Sequence, residues 1–567
     1  MQAAQTRDIP VLEFPKLTAL KTERWLVGVH LIVAFSALSL GLLMGPFQAF
    51  RRAPALQWDI PIFSYYYQAL TLHGVLNALV FTTFFIVGFS YFVTQRTLQR
   101  PLASIRVAWA AFVIMLVGLV LAAFAIVTGQ ANVLYTFYPP MVAHPTFYLG
   151  LTLVIVASWM AGGDIFFTYA AWKRDHKGET VPLAVYATLT NFIMWITATV
   201  GVAVEVLFLM LPLSLGLVQT TDPQVARIMF WFFGHPLVYF WLLPAYTAWY
   251  TMMPKQNGVR LFSDGLGRVA FLMIMLFSIP IGVHHLFTDP GVSEVAKLFH
   301  ALLTFVVALP SLLTAFNIAA TLEWAGRKRG ATGLIGWVFK QQWGNPVMAG
   351  MITGMLIFIV GGLTGIMNAS FTLNLALHNT TWVPGHFHTT LAGGVFLTYM
   401  GIFYWLMPFL SGRKLFAPRL ATAQVYLWFI GMLTFGLAMG RAGIEGAPRR
   451  TDAGAAAYIS EAAVPWLNLT AVAGVILLIS SILLYIVILG TLFASKKQEK
   501  ADAEPPIDTK APADDPSPSI FENWRIWMVV IVISNLVMWG PVLIQALDFT
   551  KGFIIFGFHP NAPIPLK

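Results

Sequence analysis

Six histidines stand inside long apolar stretches of the chain: His73, His235, His284, His285, His386 and His388. Imidazole ligates copper, iron, zinc and nickel, and an unpartnered one is costly in hydrocarbon. Each alone reads as a core histidine bonded to a backbone carbonyl; six together point to metal. His386 and His388 belong to the run Trp382-Val-Pro-Gly-His-Phe-His, which leads into about twenty mostly apolar residues, enough for a membrane helix. Pro384 and Gly385 suit a first turn, where the missing N–H would be unpaired anyway. Two positions apart on a helix is a rotation of about 200°, so these imidazoles face opposite sides and can serve two centres. His284 and His285 are about 100° apart on a regular helix and share a metal only if it lies between them and a third ligand closes the site. His235 is the candidate for that ligand. Single histidines from separate helices suit haem, two for a six-coordinate iron and one for an iron with an open face. Six therefore divide as three for copper, two for one haem and one for another.

A hydroxyl stripe accompanies them. Tyr239, Tyr246 and Tyr250 follow His235 by four, eleven and fifteen positions, within about 60° of one another on a helix. Ser311 and Thr314 make a shorter stripe two segments later, and Ser263 precedes the segment between. The stripe reads either as an aromatic packing face or as a proton relay to the metals.

The elements that must position these groups are membrane helices. Of 567 residues, 58% are hydrophobic and 10% charged, against about 25% charged in a soluble domain. Thirteen apolar segments span roughly 25–47, 65–94, 106–128, 146–172, 185–211, 229–253, 269–288, 299–321, 347–371, 382–408, 422–440, 466–493 and 524–547. The expected fold is all-α, a polytopic bundle of about 13 transmembrane helices, with a twelve-helix core over 1–493. A solvated, disordered linker is expected over 494–523, and the last helix with an external tail over 524–567. Of the 34 Lys and Arg, 25 lie in alternate connections on one side, which predicts a cytoplasmic N-terminus and an external C-terminus. The first apolar run, from Trp25, lacks a cleavage site and reads as a retained helix. The formal charge of +10 is spread through short connections, which argues against nucleic acid. With no cysteine, any metal in this chain rests on His or oxygen ligands.

Four motifs carry a resemblance that covers nearly the whole chain. Leu72-His73-Gly74, Gly234-His235-Pro236-Leu237-Val238-Tyr239, Val283-His284-His285 and Val383-Pro384-Gly385-His386-Phe387-His388 resemble those of subunit I of the haem-copper terminal oxidases, B-type branch. The resemblance implies that His73 and His388 ligate a low-spin haem of b type, and His386 a high-spin haem of a or o type. It assigns His235, His284 and His285 to one copper ion, and implies a Tyr239 covalently joined to His235. Arg449 and Arg450 match the arginine pair that holds haem propionates, and His378 and Asn379 match the propionate and water region. Leu237 stands where the A-type branch has the glutamate of a second proton channel. One path would then serve both chemistry and pumping, through Ser263, Tyr250, Tyr246, Ser311 and Thr314 to Tyr239. Asn317 replaces a threonine of that path and Asn374 an aspartate near a propionate; Glu205 has a B-type counterpart with no assigned role.

The function expected is reduction of dioxygen to water with outward proton pumping, in a prokaryotic plasma membrane amid membrane lipid. The expected partners are a second subunit with a dicopper centre, and cytochrome c or quinol as donor. A nitric oxide reductase is disfavoured by Tyr239 and Leu237. A proton-coupled permease needs neither the paired histidines nor the arginine pair.

Overall fold

The computed structural model describes residues 18–56, 65–453, 459–497, 507–508 and 510–547, with side chains from residue 23. Among them the protein is helical, with thirteen helical spans long and apolar enough to cross a membrane. In chain order they are α1 Glu23–Arg52, α2 Tyr66–Leu98, α3 Ile105–Val127, α4 Pro145–Asp175, α5 Leu183–Ser214, α6 Pro223–Gln256 and α7 Asp264–Leu286. Then come α8 Glu294–Lys328, α9 Pro346–Ala369, α10 Trp382–Ser411, α11 Pro418–Ile444, α12 Glu461–Ala494 and α13 Trp524–Ala546. Number and order agree with the apolar segments. Most spans run several residues past them, because polar residues such as Glu294 or Lys328 still fit the helical ends.

The principal pairings are α3 with α4, α5 with α6, α9 with α10 and α11 with α12, and α1 closes against α12. Helix association in a membrane depends on close packing more than on hydrophobic burial. Against α11 it is bought by glycine: a Cβ on Gly385 would lie 2.7 Å from the Gly436 carbonyl oxygen. His386, the next residue, is thereby held at a fixed depth.

Three departures from regular helix bear on the histidines. A π-helical turn, Val75–Phe81, begins two residues after His73, and another, His388–Val395, begins at His388 itself. Such turns shift the phase of the face that follows and concentrate at functional sites. The expectation of a continuous helix over 269–288 needs correction. The helix in α7 stops at Ser278, Pro280 follows, and His284 and His285 ride on a separate 3-10 turn, Val283–Leu286. α8 is likewise two helices, Glu294–Val306 and Ala308–Lys328, and Pro310 removes the donor that would have joined them.

Part of the expected linker lies outside the described residues. The described remainder lies against the bundle: Ile507 is buried, and Glu522 accepts from Lys173 at 2.7 Å and from the Val181 N–H at 2.9 Å. The segment has aspartates where the adjacent bundle end has Lys255 and Arg260.

Candidate metal centre

His235, on α6, meets the two histidines of the 3-10 turn. The three residues each offer a ligand nitrogen, and those atoms lie within 4.8 Å of one another. Ring centroids are 4.4 Å apart for His235 and His284, 4.3 Å for His284 and His285, and 5.7 Å for His235 and His285. The break after Ser278 is what lets adjacent histidines converge. Gly282 permits the turn to seat, since a Cβ there would fall 2.5 Å from the Trp231 carbonyl oxygen. The Trp231 ring then stacks on His285 at 3.9 Å and 7°.

Hydrogen bonds set which nitrogen is free. Thr304 donates its hydroxyl proton to the His300 carbonyl at 2.5 Å, so its oxygen accepts from His284 Nδ1–H at 3.0 Å, leaving Nε2 with the lone pair. Nε2 of both His235 and His285 is buried without a partner. Orphaned buried imidazole nitrogens are rare unless something is to fill them. Tyr239 lies against His235, centroids 5.1 Å apart.

The remaining three follow the same logic. His73 donates from Nδ1 to the Gly41 carbonyl at 2.9 Å, and His388 to the Pro384 carbonyl at 2.7 Å. Their rings are nearly parallel, 14° apart in plane and 6.3 Å between centroids. His386 turns the opposite way, with Nδ1 at 3.0 Å from both the Gly361 carbonyl and Thr364 Oγ1 on α9. The two histidines of α10 thus reach different neighbours, as their spacing requires. All three rings are only partly buried although they stand on packed helices.

Above them lies a cluster of cations. Arg449 donates to Asn379 Oδ1 at 3.3 Å, Arg450 to the Tyr138 hydroxyl at 3.3 Å, and a bridge between Thr380 and Pro448 ties the two loops together. Among the described residues neither arginine pairs with a carboxylate. Desolvation, and then the adjacent Arg450 charge, hold Arg449 down to about 10. His378, bonded through Nδ1 to Asn374 Oδ1 at 3.0 Å, is pushed down to about 3 by burial and by Arg449, and its Nε2 is unpartnered.

The tyrosine stripe does meet the hydroxyls of α8. Tyr246 donates to Ser311 at 3.1 Å and Tyr250 to Thr314 at 2.9 Å, while Asn317 bonds both backbone groups of Ser263. Glu205, in the π-helical segment Glu205–Met210, is fully buried with both oxygens unpartnered and shares no hydrogen bond with these hydroxyls.

The model of a protein family, cytochrome c and quinol oxidase polypeptide I, matches residues 25–477. The chain belongs to that family. The oxidase is 41% identical over 534 residues to cytochrome c oxidase subunit 1 of Thermus thermophilus, covering 91% of this chain and 93% of that one. It is 30% identical to the haem-copper oxidase subunit I+III of Aeropyrum pernix, over 65% of this chain and 45% of the relative. Its fold superposes on a haem-copper terminal oxidase dimer solved by cryo-electron microscopy with a TM-score of 0.88, at 38% identity and 96% coverage of each chain. It is thus a multi-pass membrane oxidoreductase of the cytochrome c oxidase type, and the family implies haems and copper.

The oxidase's residues fit those groups. Three imidazoles converge with two orphaned nitrogens, three more engage Nδ1 with backbone carbonyls and keep Nε2 for a metal, and Arg449 and Arg450 have no carboxylate partner among the described residues. Sequence reasoning missed the groups that orient the histidines: Thr304, Thr364, Gly41 and Trp231. A single threonine or glycine in an apolar helix carries no signal until its neighbour is known. His30 and His300 are also buried, the first bonded to the Leu26 carbonyl, the second placed beside Val283 N–H and the Met538 carbonyl.

Proposed function

We propose that this oxidase reduces dioxygen to water and pumps protons outward, as a B-type enzyme with one proton path. The convergence of His235, His284 and His285 beside Tyr239 carries the reading, because copper with a tyrosine four residues from its first ligand separates oxygen reduction from nitric oxide reduction. His73 and His388 would hold a low-spin haem of b type, His386 a high-spin haem of a or o type, and the three clustered histidines one copper. When bound, these groups supply electron transfer and the redox chemistry of dioxygen.

The chain's own residues do the rest. Thr304 and the Gly41, Pro384 and Gly361 carbonyls fix the tautomers of His284, His73, His388 and His386 so that the Nε2 of each is aprotic. Arg449 and Arg450 bind and orient the propionates, with His378 and Asn379 alongside. Tyr239, adjacent to His235, gives up a proton and an electron and is reprotonated along Tyr246, Ser311, Thr314, Tyr250, Asn317 and Ser263. Leu237 leaves no acid for a second route. The basic residues concentrated at one end of the bundle orient the N-terminus to the cytoplasm and the C-terminus outward. Since the chain has no cysteine, a dicopper entry centre belongs to a second subunit, with cytochrome c as donor.

The test is metal and haem counting on the purified complex, with carbon monoxide difference spectra and oxygen uptake. Two haems and one copper per chain are expected, with carbon monoxide on one haem and turnover on reduced cytochrome c. Iron in place of copper refutes the oxygen-reducing reading, and turnover on quinol alone refutes the donor.

A further inference from the structure

α13 lies largely exposed on the outside of the bundle, and its buried residues are Ile531, Trp539 and Val542. Two neighbouring residues of this helix reach the elements around His284 and His285. The Trp539 indole fills the space beside Gly282, where a Cβ would stand 2.7 Å from Cζ2 and 2.9 Å from Cη2. Its ring also meets His300 edge to face, centroids 5.0 Å apart. The Met538 carbonyl accepts from His300 Nε2–H at 3.1 Å, which leaves Nδ1 of that ring with the lone pair. Nδ1 then accepts from the Val283 N–H at 3.4 Å, at the first residue of the 3-10 turn. A donor at the start of a helical turn has no partner within it and needs one outside.

His300 holds the ligand turn a second time. Its carbonyl accepts the Thr304 hydroxyl proton, and the Thr304 oxygen accepts from His284 Nδ1–H. His300 stands on the first helix of α8, whose start is tied to α13 by Gln545, which accepts from the Ser293 N–H at 3.1 Å. Met538 and Gln545 are about two helical turns apart, so one face of α13 grips that helix at both places. Among the described residues two side chains bond the backbone of Val283–Leu286: His300, and Asn374 at the His284 carbonyl, 3.5 Å. The chain entering the turn has left its helix at Ser278 and has no N–H at Pro280, so little else fixes it. We propose that His300 is a positioning residue of the metal centre, through which α13 sets where the turn sits and how His284 and His285 are aimed. This rests on the assignment of His235, His284 and His285 to copper above.

A buried histidine that only fills space would leave the copper unaltered wherever the fold survives. The experiment compares the purified complex with His300→Leu, His300→Gln, Trp539→Phe, His30→Leu and His284→Asn. Three readouts are taken on each: copper retention against a graded chelator, haem content, and the infrared band of carbon monoxide moved by light from haem to copper. That band reports the copper's own surroundings. His300→Leu should lose about tenfold in copper affinity, the low end of what groups that orient metal ligands contribute, and shift or broaden the band while keeping its haem. His300→Gln, with one donor and one acceptor in place of the two ring nitrogens, should lie closer to the parent. Trp539→Phe should shift the band in the same sense, and His30→Leu, which removes a buried histidine of α1 bonded to the Leu26 carbonyl, should match the parent. Parental copper midpoint and band in a haem-replete His300→Leu, with copper lost from His284→Asn, overturn the positioning role alone. Full copper in His284→Asn overturns the ligand assignment with it. An equal shift in His30→Leu would reduce the effect to loss of any buried histidine and also overturns the role. If His300→Leu does not assemble with haem, Trp539→Phe decides, and parental values there overturn the route from α13.

Discussion

Thr304 offers the cleanest separation of ligand orientation from ligand identity. Its hydroxyl donates to the His300 carbonyl and accepts from His284 Nδ1–H at 3.0 Å, so it selects the tautomer whose Nε2 faces the other two histidines. Thr304→Val keeps the shape and removes the acceptor. His284 is buried, so its Nδ1–H would be left unpaired at a cost of about 1–3 kcal/mol. At about 1.4 kcal/mol per factor of ten, that is a loss of about 5- to 150-fold in copper affinity. The range brackets the roughly 10- to 100-fold known for groups that orient metal ligands. The assay is copper retention against a graded chelator, with haem iron in the same sample as the internal standard. The midpoint should move by at least about fivefold for Thr304→Val and stay in place for Thr304→Ser. An unmoved midpoint in a Thr304→Val protein with its full haem complement would refute the argument that this hydroxyl sets the ligand.

Three further outcomes are expected. In Gly365→Ala the new Cβ would stand 2.9 Å from His386 Cε1, on a ring already pinned by Gly361 and Thr364, so overpacking of about 1–3 kcal/mol should weaken or abolish the carbon monoxide difference band. Gly362→Ala, where a Cβ meets open space, should leave that band intact. Arg450→Gln removes one charge-assisted partner of about 1.5–3 kcal/mol and should speed haem loss to an acceptor protein by about ten- to a hundredfold; an unchanged rate would remove Arg450 from propionate binding. His378 has its folded pKa lowered to about 3 from an ordinary 6.5, so the unfolded state binds more protons. Its contribution to stability is whole above about pH 6.5 and is lost as pH falls towards about 3, by about 1.4 kcal/mol per unit. His378→Gln should therefore flatten the acid limb of thermal stability, and an identical limb in the variant would show that His378 does not titrate there.

Much of the molecule was legible because a membrane constrains it heavily. Apolar runs of span length, separated by short basic connections, leave little but a helix bundle, since every backbone polar group must be satisfied within its own helix. The residue types of the site were legible for the same reason: a histidine in hydrocarbon needs a partner, and the two-residue spacing of His386 and His388 dictates opposite faces. What periodicity could not show is where the helix stops being regular. His284 and His285 converge only because the chain breaks after Ser278 and re-forms as a 3-10 turn, and His388 opens a π-helical turn. Those irregularities depend on what packs against them, and a period of 3.6 assumes their absence.

The partners of each ligand were equally out of reach. Thr304 orients His284 from 20 residues away, and Gly361 and Thr364 orient His386 from 25 and 22. The segment over 494–523 shows the limit most clearly. Composition alone reads it as a solvated chain and does not show that Asp508, Asp514 and Asp515 of its described part meet Lys255, Arg260 and the start of α7. Sequence by itself determined the solvent, the helices and which residue types stand inside them, because those follow from local composition and spacing. Tertiary structure decided which nitrogen of each imidazole is bonded, which cations lack acids among the described residues and which carboxylate reaches Ser263, because those are properties of pairs brought together from distant parts of the chain.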